Sequence, residues 1–225
     1  KRERANIKAA VTAVGRLDEG AAGHVAVVSS KQGRRAIVDR ALLRTATLKA
    51  KERERAVAML RAIPDDWPRA KERRHRLRGI LVAIAQSDFA KKRIDAFEGR
   101  CKEAEALGPS KVAWCTAARK RLAEQADKAR FKDALAFLAK GEAALFVEAA
   151  SRVERKPRVA ALWAKALRYA KSVVKTAPET AFAIMAAYPP NLKDAAKARK
   201  LAEAFRPIVK LKPPVLTQLA DSSKA

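Results

Sequence analysis

By residue type, the side chains here that could do chemistry are two histidines, two cysteines and two adjacent carboxylate pairs. None has the spacing that chemistry requires. His24 and His75 stand 51 residues apart, in neither a HExxH arrangement nor any other metal-ligand spacing. His24 adjoins Gly23 and an apolar run and reads as a structural residue. His75 is crowded by arginines, which disfavour both its protonation and a bound cation. Asp18-Glu19 and Asp65-Asp66 fall at helix boundaries, where carboxylates serve as caps and dipole partners rather than in a pocket suited to acid–base catalysis. Gly15, Gly20, Gly23 and Gly33 form neither a GxGxxG nor a GxxxxGK[ST] loop, and Ser29-Ser30-Lys31 has phosphate-loop residue types in the wrong order. Cys101 has Arg100 and Lys102 beside it, which would lower its pKa, but no histidine or resolving cysteine accompanies it. At fourteen residues apart, Cys101 and Cys115 read as neither a disulfide framework nor a metal site, so a reducing compartment is expected. No catalytic residue, metal or cofactor is indicated.

What the sequence concentrates instead is positive charge. Residues 67–85 read WPRAKERRHRLRGILVAIA: a cation-rich beginning and a wholly apolar end on one helical stretch. Trp67, Ala70, Leu77, Leu81 and Ile84 share a helical stripe that Arg73 and Arg74 interrupt. Arg69, Arg73 and Arg76 share one side, and Lys71, Arg74 and Arg78 another. A solvated face accounts for one basic side, not for a girdle. The stretch is therefore expected to bury its C-terminal half and project its N-terminal half. Cations at a helix N-terminus oppose the macrodipole, so the arrangement calls for an anion. Arginine outnumbers lysine there, which suits bidentate phosphate contact.

The candidate nucleic-acid-binding residues are accordingly Arg69, Lys71, Arg73, Arg74, Arg76 and Arg78, with Trp67 as the candidate for base stacking. Secondary clusters are Arg34 and Arg35; Lys91, Lys92 and Arg93; Arg119, Lys120 and Arg121; and Arg155, Lys156 and Arg158. The excess is chain-wide. Fifty Lys and Arg face 24 Asp and Glu, for a net charge of +26. Residues 1–112 hold 27 basic and 14 acidic groups, and residues 113–225 hold 23 and 10. Such a field attracts polyanions. Without interleaved surface aromatics, the expected recognition is of phosphate backbone and shape.

The elements that must position these residues are helices. Fifty-one of the 225 residues are alanine, the strongest helix former, and strand-favouring residues are thin and scattered. The stretch 23–30 (GHVAVVSS) could form a strand or a short buried helix. Helices are expected over 2–17, 34–63, 67–85, 89–107, 111–129, 131–139, 142–153, 157–169, 177–188 and 191–205. Asp66 and the Thr176–Glu179 capping box are the expected starts, and Ser87-Asp88 an expected stop. The fold class is all-α: about eleven helices in stacked hairpins, as an irregular α-solenoid or multi-helix bundle. One helical domain is expected over 1–206, with a sub-boundary near 108–110 and an extended basic arm over 207–225. VAWCTAARKRL from Val112 and VAALWAKALRY from Val159 suggest a 47-residue offset, close to the period of a two-helix solenoid unit.

Together these readings lead to a non-enzymatic RNA-binding protein, a structural or assembly component of a ribonucleoprotein with RNA and neighbouring proteins as partners. The expected setting is intracellular: a mitochondrial or other organellar matrix, with an organellar ribosome as one such assembly, and cytoplasm or nucleus as alternatives. Opening on Lys1 rather than methionine suits a processed protein, an excised domain or the ordered part of something longer. No apolar run is long enough to span a membrane. The rival readings are a helical scaffold subunit contacting acidic partners or lipid headgroups, and a DNA-binding helical module.

Overall fold

Alanine-rich segments between Gly, Pro and Asp breakers become helices almost everywhere in the computed structural model, which describes residues 1–108 and 111–206. In chain order they are α1 (Arg2–Arg16), α2 (Ala21–Ala26), α3 (Lys31–Arg44), α4 (Arg53–Ala62), α5 (Ala70–Ala90), α6 (Ile94–Ala106), α7 (Ala113–Lys140), α8 (Ala143–Ser151), α9 (Lys156–Val173), α10 (Pro178–Ala186) and α11 (Ala195–Phe205). Two single-turn 3-10 segments, Thr45–Thr47 and Ala50–Glu52, lie between α3 and α4. Among the described residues there is no strand, so the fold is all-α. The chain divides into two compact units, Lys1–Arg119 and Lys120–Ala225, and the division falls inside α7. The expected arm at 207–225 and the Pro109-Ser110 stop lie outside the described residues.

In the first unit, α1, α3, α4 and α5 close over Val14, Ile37, Val38, Val57 and Leu81, all buried. Phe89, Phe97 and Trp114 meet edge to face at 5.3–5.9 Å between ring centroids, the offset geometry that aromatic quadrupoles favour. In the second unit, α10 is almost wholly apolar and buried from Ala181 to Met185. It packs with α8, α9 and α11. Trp163 stacks edge to face on Phe146 (5.1 Å) and Tyr188 (5.5 Å).

Several local expectations are corrected, each for a physical reason. Residues 23–30 form no strand; α2 covers the first half of them, to Ala26, with Val25 buried. The pattern over 34–63 breaks at the two 3-10 segments. Asp66 does not cap α5: Arg69 precedes the helix in the left-handed region, φ 57°. Ser87-Asp88 does not stop α5, because the buried Asp88 carboxylate accepts from Arg93 and the helix runs to Ala90 before Lys92 turns at φ 58°. With no Gly or Pro between Ala113 and Lys140, the two expected helices there are the single α7. The Thr176 hydroxyl donates back to the Val173 carbonyl instead of capping α10. The 47-residue offset sets one continuous helix, α7, against the broken pair α9 and α10, so the two copies differ in secondary structure.

Cys101 and Cys115 are not free thiols. They form a disulfide across the turn between α6 and α7, with Cα atoms 5.9 Å apart. Hairpin closure accounts for it: fourteen residues suffice to leave one helix, turn and bring the next alongside. Both cysteines are fully buried.

Candidate nucleic-acid interface

The cation-rich start of α5 finds its anions within its own chain. Arg69 reaches Asp39 on α3 (Nη1–Oδ1 2.6 Å) and Glu72 one turn ahead (Nε–Oε1 3.0 Å). The hydrogen bond from Arg69 holds the Glu72 carboxyl below the usual range. Asp65 lends one oxygen to Arg73 (3.0 Å) and the other to Arg74 (3.0 Å). Arg73 is 2% exposed, so the stripe that it interrupts in the sequence is an interior stripe in the fold. Its second nitrogen donates to the Ile63 carbonyl at the end of α4, one of the acceptors that every helix C-terminus leaves unsatisfied. Burial lowers the Arg73 pKa, and its Nε is buried without a partner. The N-terminal half of α5 is therefore packed rather than projecting.

Other arginines singled out in the sequence are held in the same way. Arg34 sits over the Trp67 ring at 5.5 Å and 4.0 Å from Asp66. Trp67, 5% exposed, presents no open face to a base. Arg35 approaches Asp39 at 4.0 Å. Arg93 pairs with Asp88, and Arg119 with Glu98 and Glu105, both at 2.9 Å. The Arg78 guanidinium lies against Gly108, where an added Cβ would come within 2.5 Å of it. Arg155 pairs with Glu124 (3.2 Å) and Arg158 with Asp127 (2.6 Å). Of the sequence candidates, Lys71, Arg76, Lys91, Lys92, Lys120, Arg121 and Lys156 stay exposed without an ion pair.

A division of labour between the two cations emerges. Every ion pair among the described residues is made by an arginine and none by a lysine. The planar guanidinium fork suits fixed bidentate pairing, whereas the ammonium is a hydrated point charge on a flexible stem. Open positive charge is thus mainly lysine.

Its clearest concentration is on α9, which the sequence reading passed over. Between Glu154 and Glu179 the chain has no carboxylate. Leu162, Trp163, Ala166, Leu167 and Ala170 bury one side of the helix. Lys165, Arg168 and Lys171 lie on the other, with Lys175 just past the end of the helix, all four exposed and without ion pairs. At 100° and 1.5 Å per residue, the three on the helix fall within an arc of about 120° and a length of about 9 Å. Ala161, Ala164 and Ser172 lie among them, so the cations stand on a low surface that a backbone can approach. The N-terminal end of α9 is anchored by Asp127, whose Oδ1 accepts from the Glu154 and Arg155 amides (2.7 and 3.4 Å). An acid-free run with cations every three or four residues was the available signal. A search for adjacent basic residues misses it.

Among the described residues, no group of three His, Cys, Asp or Glu is arranged to hold a metal ion, and no helix is long and apolar enough to cross a membrane. Comparison with protein-family models, curated proteins and solved structures finds no match to this chain.

Proposed function

We propose that this chain is a non-enzymatic RNA-binding protein, a structural or assembly component of a ribonucleoprotein, which grips phosphate backbone through lysine-dominated helix faces. The observation that carries the reading is the α9 stripe of Lys165, Arg168 and Lys171, continued by Lys175 just past the helix end, which no carboxylate neutralises. Unpaired cations on a rigid helix attract phosphate without reading sequence, because the contacts reach backbone and not base edges. Lysine dominance favours non-specific, strongly salt-dependent binding. The disulfide removes the free thiols on which the reducing compartment rested and fits an oxidising one; the binding chemistry is the same in either.

The test is a salt titration of RNA affinity by fluorescence anisotropy, using a hairpin RNA and an unstructured RNA. Log Kd should rise linearly with log salt, each phosphate contact adding about 0.7 to 0.9 to the slope. Similar affinity for hairpins of unrelated sequence is expected. An absence of binding to either RNA at about 50 mM salt, where this electrostatic term is strong, overturns the proposal.

A further inference from the structure

Leu43, at 64% exposure, is more exposed than Val27, Ile94 or Leu145, the other large apolar side chains that reach solvent among the described residues. It is not isolated. With Leu42, Lys71, His75 and Arg76 it lines a hollow of about 690 Å³ between α3 and α5. A second hollow of about 240 Å³ is walled by Leu48, Arg53, Gly79, Ile80 and Ala83. His75 and Arg76 line both, so the two hollows adjoin and together follow α5 from Lys71 to Ala83. At 1.5 Å per residue that is about 18 Å, or three helical turns.

The groove has an apolar floor and a cationic rim. Leu43, Leu48 and Ile80 supply the floor; Arg53, Lys71 and Arg76 supply the rim, and none of the three has a carboxylate partner. The two carboxylates in the lining, Asp39 and Glu72, are both committed to Arg69. Gly79 leaves the wall bare: a Cβ added there would meet nothing within 4 Å. Arg53 is steadied by its hydrogen bond to the Ala83 carbonyl (3.2 Å).

We infer that this groove docks an acidic amphipathic helix of a partner protein, about three turns long. Its apolar face would seat on Leu43, Leu48 and Ile80, and its glutamates or aspartates would meet Lys71, Arg76 and Arg53. This is the helix-in-groove mode, in which anchors at i, i+3, i+4 and i+7 enter a hydrophobic channel. Charge complementarity selects an acidic partner and steers its approach. The floor selects protein over nucleic acid: a phosphodiester gains nothing from leucine, and His75 is the single aromatic ring in the lining, too little for a run of bases to stack upon.

The experiment uses the full chain and a fluorescein-labelled synthetic peptide of about 12 residues, the length matching three turns. Its leucines sit at i, i+3, i+4 and i+7, with glutamate and alanine elsewhere. A scrambled peptide of identical composition is the control. The patterned peptide is expected to bind about tenfold or more tighter than the scramble, a difference within reach of a few buried anchors. Gly79→Trp, which fills the groove from an open position, and Leu43→Asp, at an exposed one, should each erase that advantage while thermal melting stays unchanged. Replacing Lys165, Arg168, Lys171 and Lys175 with glutamine should leave it intact, which separates this inference from the RNA reading. Equal affinity for the two peptides overturns the inference. So does insensitivity to both groove variants, or a loss of RNA binding in Gly79→Trp with peptide binding retained.

Discussion

The start of α5 and the outer face of α9 carry comparable densities of cation and use them oppositely. Arg69, Arg73 and Arg74 are tied to Asp39, Glu72 and Asp65 and hold α3, α4 and α5 in register. Lys165, Arg168, Lys171 and Lys175 have no carboxylate partner, and the Arg168 guanidinium donates only to the Ala164 carbonyl of its own helix (3.4 Å). The difference lies in the company the cations keep. Asp39, 30 residues back in the chain, Asp65, eight or nine back, and Glu72, one turn ahead, neutralise the first group, whereas no carboxylate stands between Glu154 and Glu179. A run of arginines is thus weak evidence for a nucleic-acid site until its carboxylates are located.

The largest effect that could break this comparison is on RNA affinity. Changing Lys165, Arg168, Lys171 and Lys175 together to glutamine should weaken RNA binding about 100-fold or more near 0.1 M salt, and should flatten the log–log salt slope by about 3. Thermal stability should be unchanged or slightly higher, because mutual repulsion is relieved. Undiminished affinity would place the phosphate contacts elsewhere on the molecule.

The converse variant is Arg73→Gln. It removes a buried cation from Asp65, strands the Ile63 carbonyl and leaves a poorly filled interior. The Asp65 carboxylate left behind is largely exposed, so the cost is that of the stranded carbonyl and the lost hydrogen bonds, about 2 kcal/mol in urea unfolding. RNA affinity should barely move. If the reverse held, with stability kept and affinity lost, α5 and not α9 would be the binding helix.

How much of this was legible in the sequence follows the same division. The all-α class was legible because alanine content and breaker positions act locally. The 142–153 stretch, apolar on most faces, reads as buried all round, but α8 buries one side, Phe146, Val147 and Ala150, and leaves Leu145 45% exposed. The partners of the arginines were not legible, because Asp39 meets Arg69 and Asp127 meets Arg158 only through tertiary packing, which no single-helix projection contains. The disulfide was missed for a related reason: fourteen residues spell no known framework, and only closure of the α6–α7 hairpin brings Cys101 to Cys115. The α9 stripe lay open to reading. It was passed over because its cations are spaced at helical intervals rather than side by side.

A comparable effect tests what anchors α9. Asp127 is buried, and although burial alone would raise its pKa, hydrogen bonds from the Glu154 amide, the Arg158 guanidinium and the Arg155 amide hold it below the ordinary aspartate value of 3.8. A folded-state pKa below the unfolded one means a stabilisation fully present above about pH 4 and lost as the pH falls through the folded value. Asp127→Asn should cost about 2 kcal/mol at neutral pH. In the variant, the unfolding free energy of Lys120–Ala225 should decline less steeply below pH 4 than in the native chain. Parallel acid profiles would mean that Asp127 does not titrate with folding.

The smallest expected effect sharpens the view of the α5 start. Arg69 occupies the left-handed region, which side chains with a Cβ rarely adopt and glycine adopts freely. It does so while its guanidinium joins Asp39 to Glu72 at the surface, where ion pairs contribute little. Arg69→Gln would lose the pairs and keep the backbone strain; Arg69→Gly would lose the pairs and relieve it. Both should melt within a few degrees of the native chain, with the glycine variant higher than the glutamine variant, and RNA affinity should be nearly unchanged in each. The opposite melting order would mean that the ion pairs and not the turn set the local stability. A large affinity loss in both variants would return the start of α5 to the binding surface and erase the contrast with α9.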